Sequence, residues 1–206
     1  MRSLIIYSLV FISFCTYGQD RSPEFHDDKE GFNNLKDKTL RSELAYFTDF
    51  GANEKKASIK LIEIPLTKYS ANYSQFETDS ILFKLTKGVF KKSLHKINYV
   101  DEYADKIDNK LFWGKDGDLP TEQINSIQVI IGKDTIKIPK SAYTDLYEPH
   151  LTSKKGNETV GFLRIYASRD RGRYYIYMLN GDGAGAYEAT LMIRNKKYIG
   201  RVVDGG

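Results

Sequence analysis

The chain has 206 residues, with 31 basic against 27 acidic side chains, a formal charge of +4 at neutral pH, and a single cysteine, Cys15. So near a balance argues against the dense basic face that nucleic-acid binders depend on, and one cysteine rules out an intramolecular disulfide framework. Stability must come from the core alone, and a chain of this length can bury roughly 70% of the surface its unfolded form exposes.

The N-terminal stretch "MRSLIIYSLVFISFCTYGQ" places one positive charge at Arg2, an apolar run from Leu4 to Phe14, and the small residues Thr16 and Gly18 before Gln19. This order predicts a secretory signal peptide over residues 1–18, cleaved after Gly18. The apolar run is shorter than the ~18 residues of a spanning helix, so no stable membrane span is expected after cleavage. A lipid anchor on Cys15 fits less well, because the bulky Phe14 precedes it. The expected location is the periplasm or the medium, and cleavage removes the only cysteine.

Residues 19–40 are charged and without period, which predicts a flexible leader. Residues 41–206 read as one α+β domain, mainly an antiparallel β meander in the C-terminal half with a few short helices. Leu40, Leu44 and Phe47 stand at helical spacing, so a short amphipathic helix should end near Gly51. The run "ASIKLIEIPL" reads as a strand that Pro65 stops or confines to an edge. A second strand is expected at about 80–86, and the segment from Val89 to Ile97 fits neither period well. Residues 101–124 read as a charged loop anchored by the only tryptophan, Trp113.

From Ile124 the signals sharpen. "INSIQVII", "GKD" and "TIKIP" form a hairpin pattern, and "KSAYTDLYEPH" reads as a short helix closed by Pro149. Strands are expected at about 158–168, 173–180, 187–194 and 197–203. In the third of these, Tyr187, Ala189, Leu191 and Ile193 would share one face, with Glu188, Thr190, Met192 and Arg194 on the other.

The stretch "NGDGAGAY", Asn180 to Tyr187, has several conceivable roles. As a phosphate loop it lacks the Lys of G-x-x-x-x-G-K-[ST]. As a dinucleotide loop it should open a helix, and a strand pattern follows instead. As a calcium loop it carries Ala184 where a further oxygen ligand belongs. A hairpin connection is the remaining reading. No metal is therefore expected; Asp116, Asp118 and Asp182 are the carboxylates that a calcium ion would draw on. No cofactor signature occurs either. G-x-S-x-G, H-E-x-x-H and C-x-x-C are all missing from the sequence, and His95 and His150 read as exposed or capping groups.

The C-terminal segment "YYIYMLNGDGAGAYEATLMIRNKKYIGRVVD", with the upstream "GKDTIKIPKSAYTDLYEP", resembles a block found in small exported proteins of the Bacteroidota, a group without an assigned function. The resemblance covers about the last 80 residues and implies a compact, exported, β-rich domain.

With no catalytic signature, an export signal and 15 tyrosines, the expected function is noncatalytic binding through protein contacts in the cell envelope, as an immunity or inhibitor protein would act. Tyrosines make effective anchors because each offers a rigid apolar body with a polar tip. Candidate binding residues are Asp182, Tyr187 and Glu188 on the glycine loop, Tyr175 and Tyr177 on the preceding strand, and Trp113. A cell-wall or polysaccharide hydrolase using Asp182 and Glu188, or a carbohydrate-binding module, is the alternative. A barrel for a small apolar ligand is a weaker third.

Overall fold

The computed structural model describes residues 31–48, 61–181 and 183–205. The segment 1–18, expected to be a signal peptide, and Cys15 within it lie outside them.

Pro65 sets the architecture early in the chain. β1 (Leu61–Glu63) and β2 (Leu66–Ser70) flank it and belong to different sheets. The amide of Ile64 still donates to Ile165 in the first sheet, while the carbonyl of Pro65 accepts from Glu77 in the second. Proline has no N–H with which to continue a ladder, so the chain changes sheets there.

The second sheet continues through β3 (Tyr73–Thr78), β4 (Ile81–Val89), β7 (Glu122–Ile131) and β8 (Asp134–Ile136), in the order β2-β3-β4-β7-β8. The first adds β11 (Arg164–Ser168), β12 (Arg173–Asn180), β13 (Tyr187–Arg194) and β14 (Lys197–Gly205), in the order β1-β11-β12-β13-β14. Each is antiparallel throughout. Two small hairpins stand outside them: β5 (Ile97–Val100) with β6 (Tyr103–Ile107), and β9 (Ser153–Lys155) with β10 (Glu158–Val160).

The sheets face each other over one core. Phe76, Phe83, Leu85 and Val129 from the second sheet meet Ile165, Tyr174, Ile176, Tyr187, Ala189 and Leu191 from the first. Period-2 alternation makes this possible, since every second side chain of each strand points inward. The predicted alternation of β13 holds: Tyr187, Ala189, Leu191 and Ile193 all lie in this core.

The other face of the first sheet is buried as well. Leu44, Ala45 and Phe47, at the end of and just after α1 (Lys38–Leu44), cover Tyr175, Met192 and Val202 together with Phe32. Asp37 caps this helix, its carboxylate accepting from the amides of Thr39 and Leu40. Phe32 is fully buried, and its amide donates to the Asp204 carboxylate. The packed chain thus begins well before residue 41, and residues 31–40, expected to belong to a flexible leader, form part of the fold. The polar composition that suggested a leader conceals two apolar anchors, Phe32 and Leu35.

Three further differences have local causes. The helix expected from Lys140 is one 3-10 turn, Lys140–Ala142, because Tyr143, Leu146 and Tyr147 are drawn into the cores. The strand expected at 158–168 is split by Gly161 into β10 and β11. Residues 101–124 hold strand β6, whose Ala104 and Ile107 join Phe90, Phe112 and Tyr147 in a third cluster. With one α-helix of seven residues among the described ones, the expected α+β domain dominated by antiparallel strands takes the form of a β-sandwich whose helical content is low. No helix among the described residues is long and apolar enough to cross a membrane.

Candidate functional site

The glycine stretch connects β12 to β13, as its turn chemistry predicts, but it packs inward. The Asn180 carboxamide accepts from the His150 amide and donates to the Tyr187 hydroxyl, both at 2.9 Å. That hydroxyl donates in turn to the Tyr147 carbonyl at 2.9 Å, and the Gly181 amide donates to Glu148. A Cβ on Gly185 would stand 2.7 Å from backbone of Lys115, and one on Gly181 would stand 2.5 Å from the Gly185 carbonyl. These glycines are needed for close approach. The loop is a bracket that ties the 113–118 and 145–150 segments to the end of the sandwich.

The predicted binding residues therefore separate. Tyr187 is fully buried and cannot be displayed; burial pushes its hydroxyl far above the ordinary tyrosine range. Tyr175 is equally buried, beneath Phe47 with ring centroids 4.9 Å apart. Tyr177 is half-buried and donates to the Glu188 carboxylate at 2.7 Å, so these two sequence candidates hold each other on the outer face of the first sheet. Trp113 is half-buried against Tyr187 and anchors the loop, as its solitary position suggested. Asp116 and Asp118 are exposed, and Asp182 lies outside the described residues. Among the described residues no three His, Cys, Asp or Glu side chains gather as metal ligands do. His95 has its own partner: Nδ1 lies 2.8 Å from Asp108, and the ring stacks on Phe90. That hydrogen bond, with one from the Lys96 amide, holds the Asp108 carboxyl below its usual range.

At the same end of the sandwich lies an open cleft of about 560 Å³, bounded by β2, by residues 149–151 and by the β9–β10 hairpin. Two large aromatic side chains stand in it half-exposed, Tyr69 at 44% and Phe162 at 51%. Exposed apolar groups grouped in a concavity, rather than scattered, are the usual mark of a contact surface. Lys87, His150 and Lys154 add positive or titratable character, and no carboxylate lines the cleft. Lys87 is held by Glu122 from the adjacent strand.

The floor of the cleft is tied together by hydrogen bonds and close backbone packing. The Thr152 hydroxyl donates to the Leu163 carbonyl, and the Thr152 carbonyl accepts from Ser74 on β3. Gly161 has φ of +117°, and a Cβ there would stand 2.4 Å from the Leu151 carbonyl. Asn180 fixes the His150 backbone from the other side, so the glycine loop supports the cleft without lining it. Sequence reasoning passed over Tyr69, Lys87, Lys154 and Phe162 because they come from four separated segments.

Chemically, the arrangement offers ring faces, ammonium groups and hydroxyls from Ser70 and Ser153, with the His150 ring set against Phe162 at 6.3 Å. These are groups for holding a ligand. Comparison of the chain with protein-family models, curated proteins and solved structures yields no match.

Proposed function

We propose that this chain is a noncatalytic binding protein that works outside the cytoplasm through protein contacts, and that the cleft at Tyr69 and Phe162 is its contact surface. The observation that carries this reading is the pair of half-exposed aromatic side chains on a floor held by Gly161, Thr152 and Asn180. Rigid aromatic anchors lose little conformational entropy on binding, which is why they dominate interface energetics. An immunity or inhibitor role needs no more than such a surface. The same ring faces also suit sugar rings, so a carbohydrate-binding module is the second reading.

A photo-crosslinking amino acid at position 162 tests the proposal in the native host, with one at Lys133 on the distant β7–β8 turn as the control. A discrete protein adduct at 162, reduced by adding Tyr69→Ala, is the expected result. Equal adducts at both positions, or none at 162, would remove the cleft as a protein-contact surface. Preferential retention of the wild-type protein on a glycan array, lost in Phe162→Ala, would move the assignment to carbohydrate.

A further inference from the structure

The cleft has one wall made of sheet edge. β2 pairs with β3 on one side only, and Thr67, Lys68, Tyr69 and Ser70 are all exposed. An edge strand presents a row of backbone donors and acceptors to any extended chain laid beside it. Tyr69 and Ser70 of this edge line the cleft, facing Ser153 and Lys154 from the β9–β10 hairpin. The backbone template, the aromatic anchors and the facing hairpin therefore belong to one concavity.

Its charge selects among occupants. Lys68 on the edge and Lys154 on the opposite wall are exposed and have no ion-pair partner among the described residues. Lys87 is compensated by Glu122, and Lys155 lies across the hairpin from Glu158. The uncompensated charge beside the edge is thus positive. A second copy of this chain laid along β2 would bring its own Lys68 to the same edge, and like charges there discourage self-pairing.

Resting on the binding role proposed above, we infer that the cleft takes an extended acidic peptide segment, which adds as a strand along β2 with its carboxylates on Lys68 and Lys154. Main-chain hydrogen bonds supply affinity in this mode. Alternate side chains supply selectivity: one row meets Tyr69, Phe162 and Lys154 in the cleft, and the other meets Lys68. The pairing is sensitive to salt because both lysines are open to solvent.

The full chain is titrated by fluorescence anisotropy with a labelled peptide of alternating Glu and Thr. A Lys-Thr peptide, a Glu-Thr peptide N-methylated at alternate residues, and a polygalacturonate oligosaccharide are run alongside. The proposal expects binding of the Glu-Thr peptide alone, weakened at least about tenfold by Lys68→Glu with Lys154→Glu and by raised salt, and unchanged by Lys133→Glu. All three lysines are exposed, and circular dichroism checks that each variant is folded. Equal binding of the N-methylated peptide would overturn strand addition. Preference for the oligosaccharide, or failure of the Glu-Thr peptide at millimolar concentration, would overturn the peptide assignment. A position-162 protein adduct that persists after such a failure would leave the binding role standing and remove only this ligand class.

Discussion

The hydroxyl of Tyr187 donates to the carbonyl of Tyr147 at 2.9 Å, inside a core that neither residue shares with solvent. Asn180 completes the link by donating to the same hydroxyl. This bond closes the glycine loop onto the segment that ends at the cleft. Tyr187→Phe keeps the ring and removes the hydroxyl, leaving a buried carbonyl and a buried amide short of a partner. A loss of ~1–3 kcal/mol is expected in urea unfolding.

Tyr175 provides the opposite case on the other face of the sheet. Its hydroxyl is buried with no hydrogen-bond partner among the described residues. Tyr175→Phe removes a desolvated polar atom without orphaning another, so stability should stay level or rise by up to ~1 kcal/mol. Matching destabilisation in both Tyr→Phe variants would show that the hydrogen-bond assignment has no energetic weight.

Glu43 is a buried carboxylate between two arginines, at 3.1 Å from Arg173 and 3.5 Å from Arg194. It ties α1 to β12 and β13, and so holds the N-terminal cover on the first sheet. Removing one partner of a fully buried pair costs ~3–5 kcal/mol. Both arginines are partly solvated here, so Glu43→Gln should cost less, about 1–3 kcal/mol. Limited proteolysis should then cut within residues 31–48 of the variant sooner than in the wild type. An unchanged cleavage pattern would mean that apolar packing alone secures the cover.

The glycines of the connection should differ in their tolerance. A Cβ on Gly185 meets three backbone atoms of Lys115 at 2.7–2.8 Å, whereas one on Gly183 meets nothing within 4 Å. Gly183 has φ of +54°, so Gly183→Ala should cost only the ~1–2 kcal/mol of left-handed backbone. Gly185→Ala requires the two segments to separate and should cost more, in the ~1–3 kcal/mol range of overpacking with strain added. Thermal unfolding of the pair gives the order directly, and a milder Gly185→Ala would contradict the close approach.

Alkaline pH offers a separate test. Burial pushes the hydroxyls of Tyr147 and Tyr187 far above the ordinary tyrosine range, with the Asp108 and Asp145 charges adding to the effect at Tyr147. In the unfolded chain both ionise near pH ~10. A folded-state value raised above the unfolded one gives stability that is complete below pH ~10 and lost as pH climbs past it. Unfolding midpoints should therefore fall in this window, and less steeply in Tyr187→Phe. Absorbance at the tyrosinate band should show these two hydroxyls ionising with unfolding rather than before it.

Much of the fold was legible from local pattern. The strands at 173–180 and 187–194 and the hairpin after Ile124 stood out because β-branched and aromatic runs ended at Gly, Asn or Lys turns. The β2–β3 and β5–β6 hairpins were harder to read. Tyr69, Asn72, Asp101 and Glu102 dilute their alternation with polar groups, and these strands are half exposed. Phe32 went unnoticed for a related reason, since one apolar residue in a charged stretch carries no period.

By itself, the sequence determined the antiparallel meander, the inward row of β13 and the turn at "NGDGAGAY", because period-2 hydrophobicity and glycine chemistry are local properties. Only the tertiary structure decided that Tyr187 and Tyr175 are structural, that Tyr177 and Glu188 hold each other, and that Tyr69 and Phe162 share a cleft. A tyrosine reads alike in a strand pattern whether its face is covered or open. Whether it is covered depends on which distant segment, here α1 or the opposite sheet, packs over it.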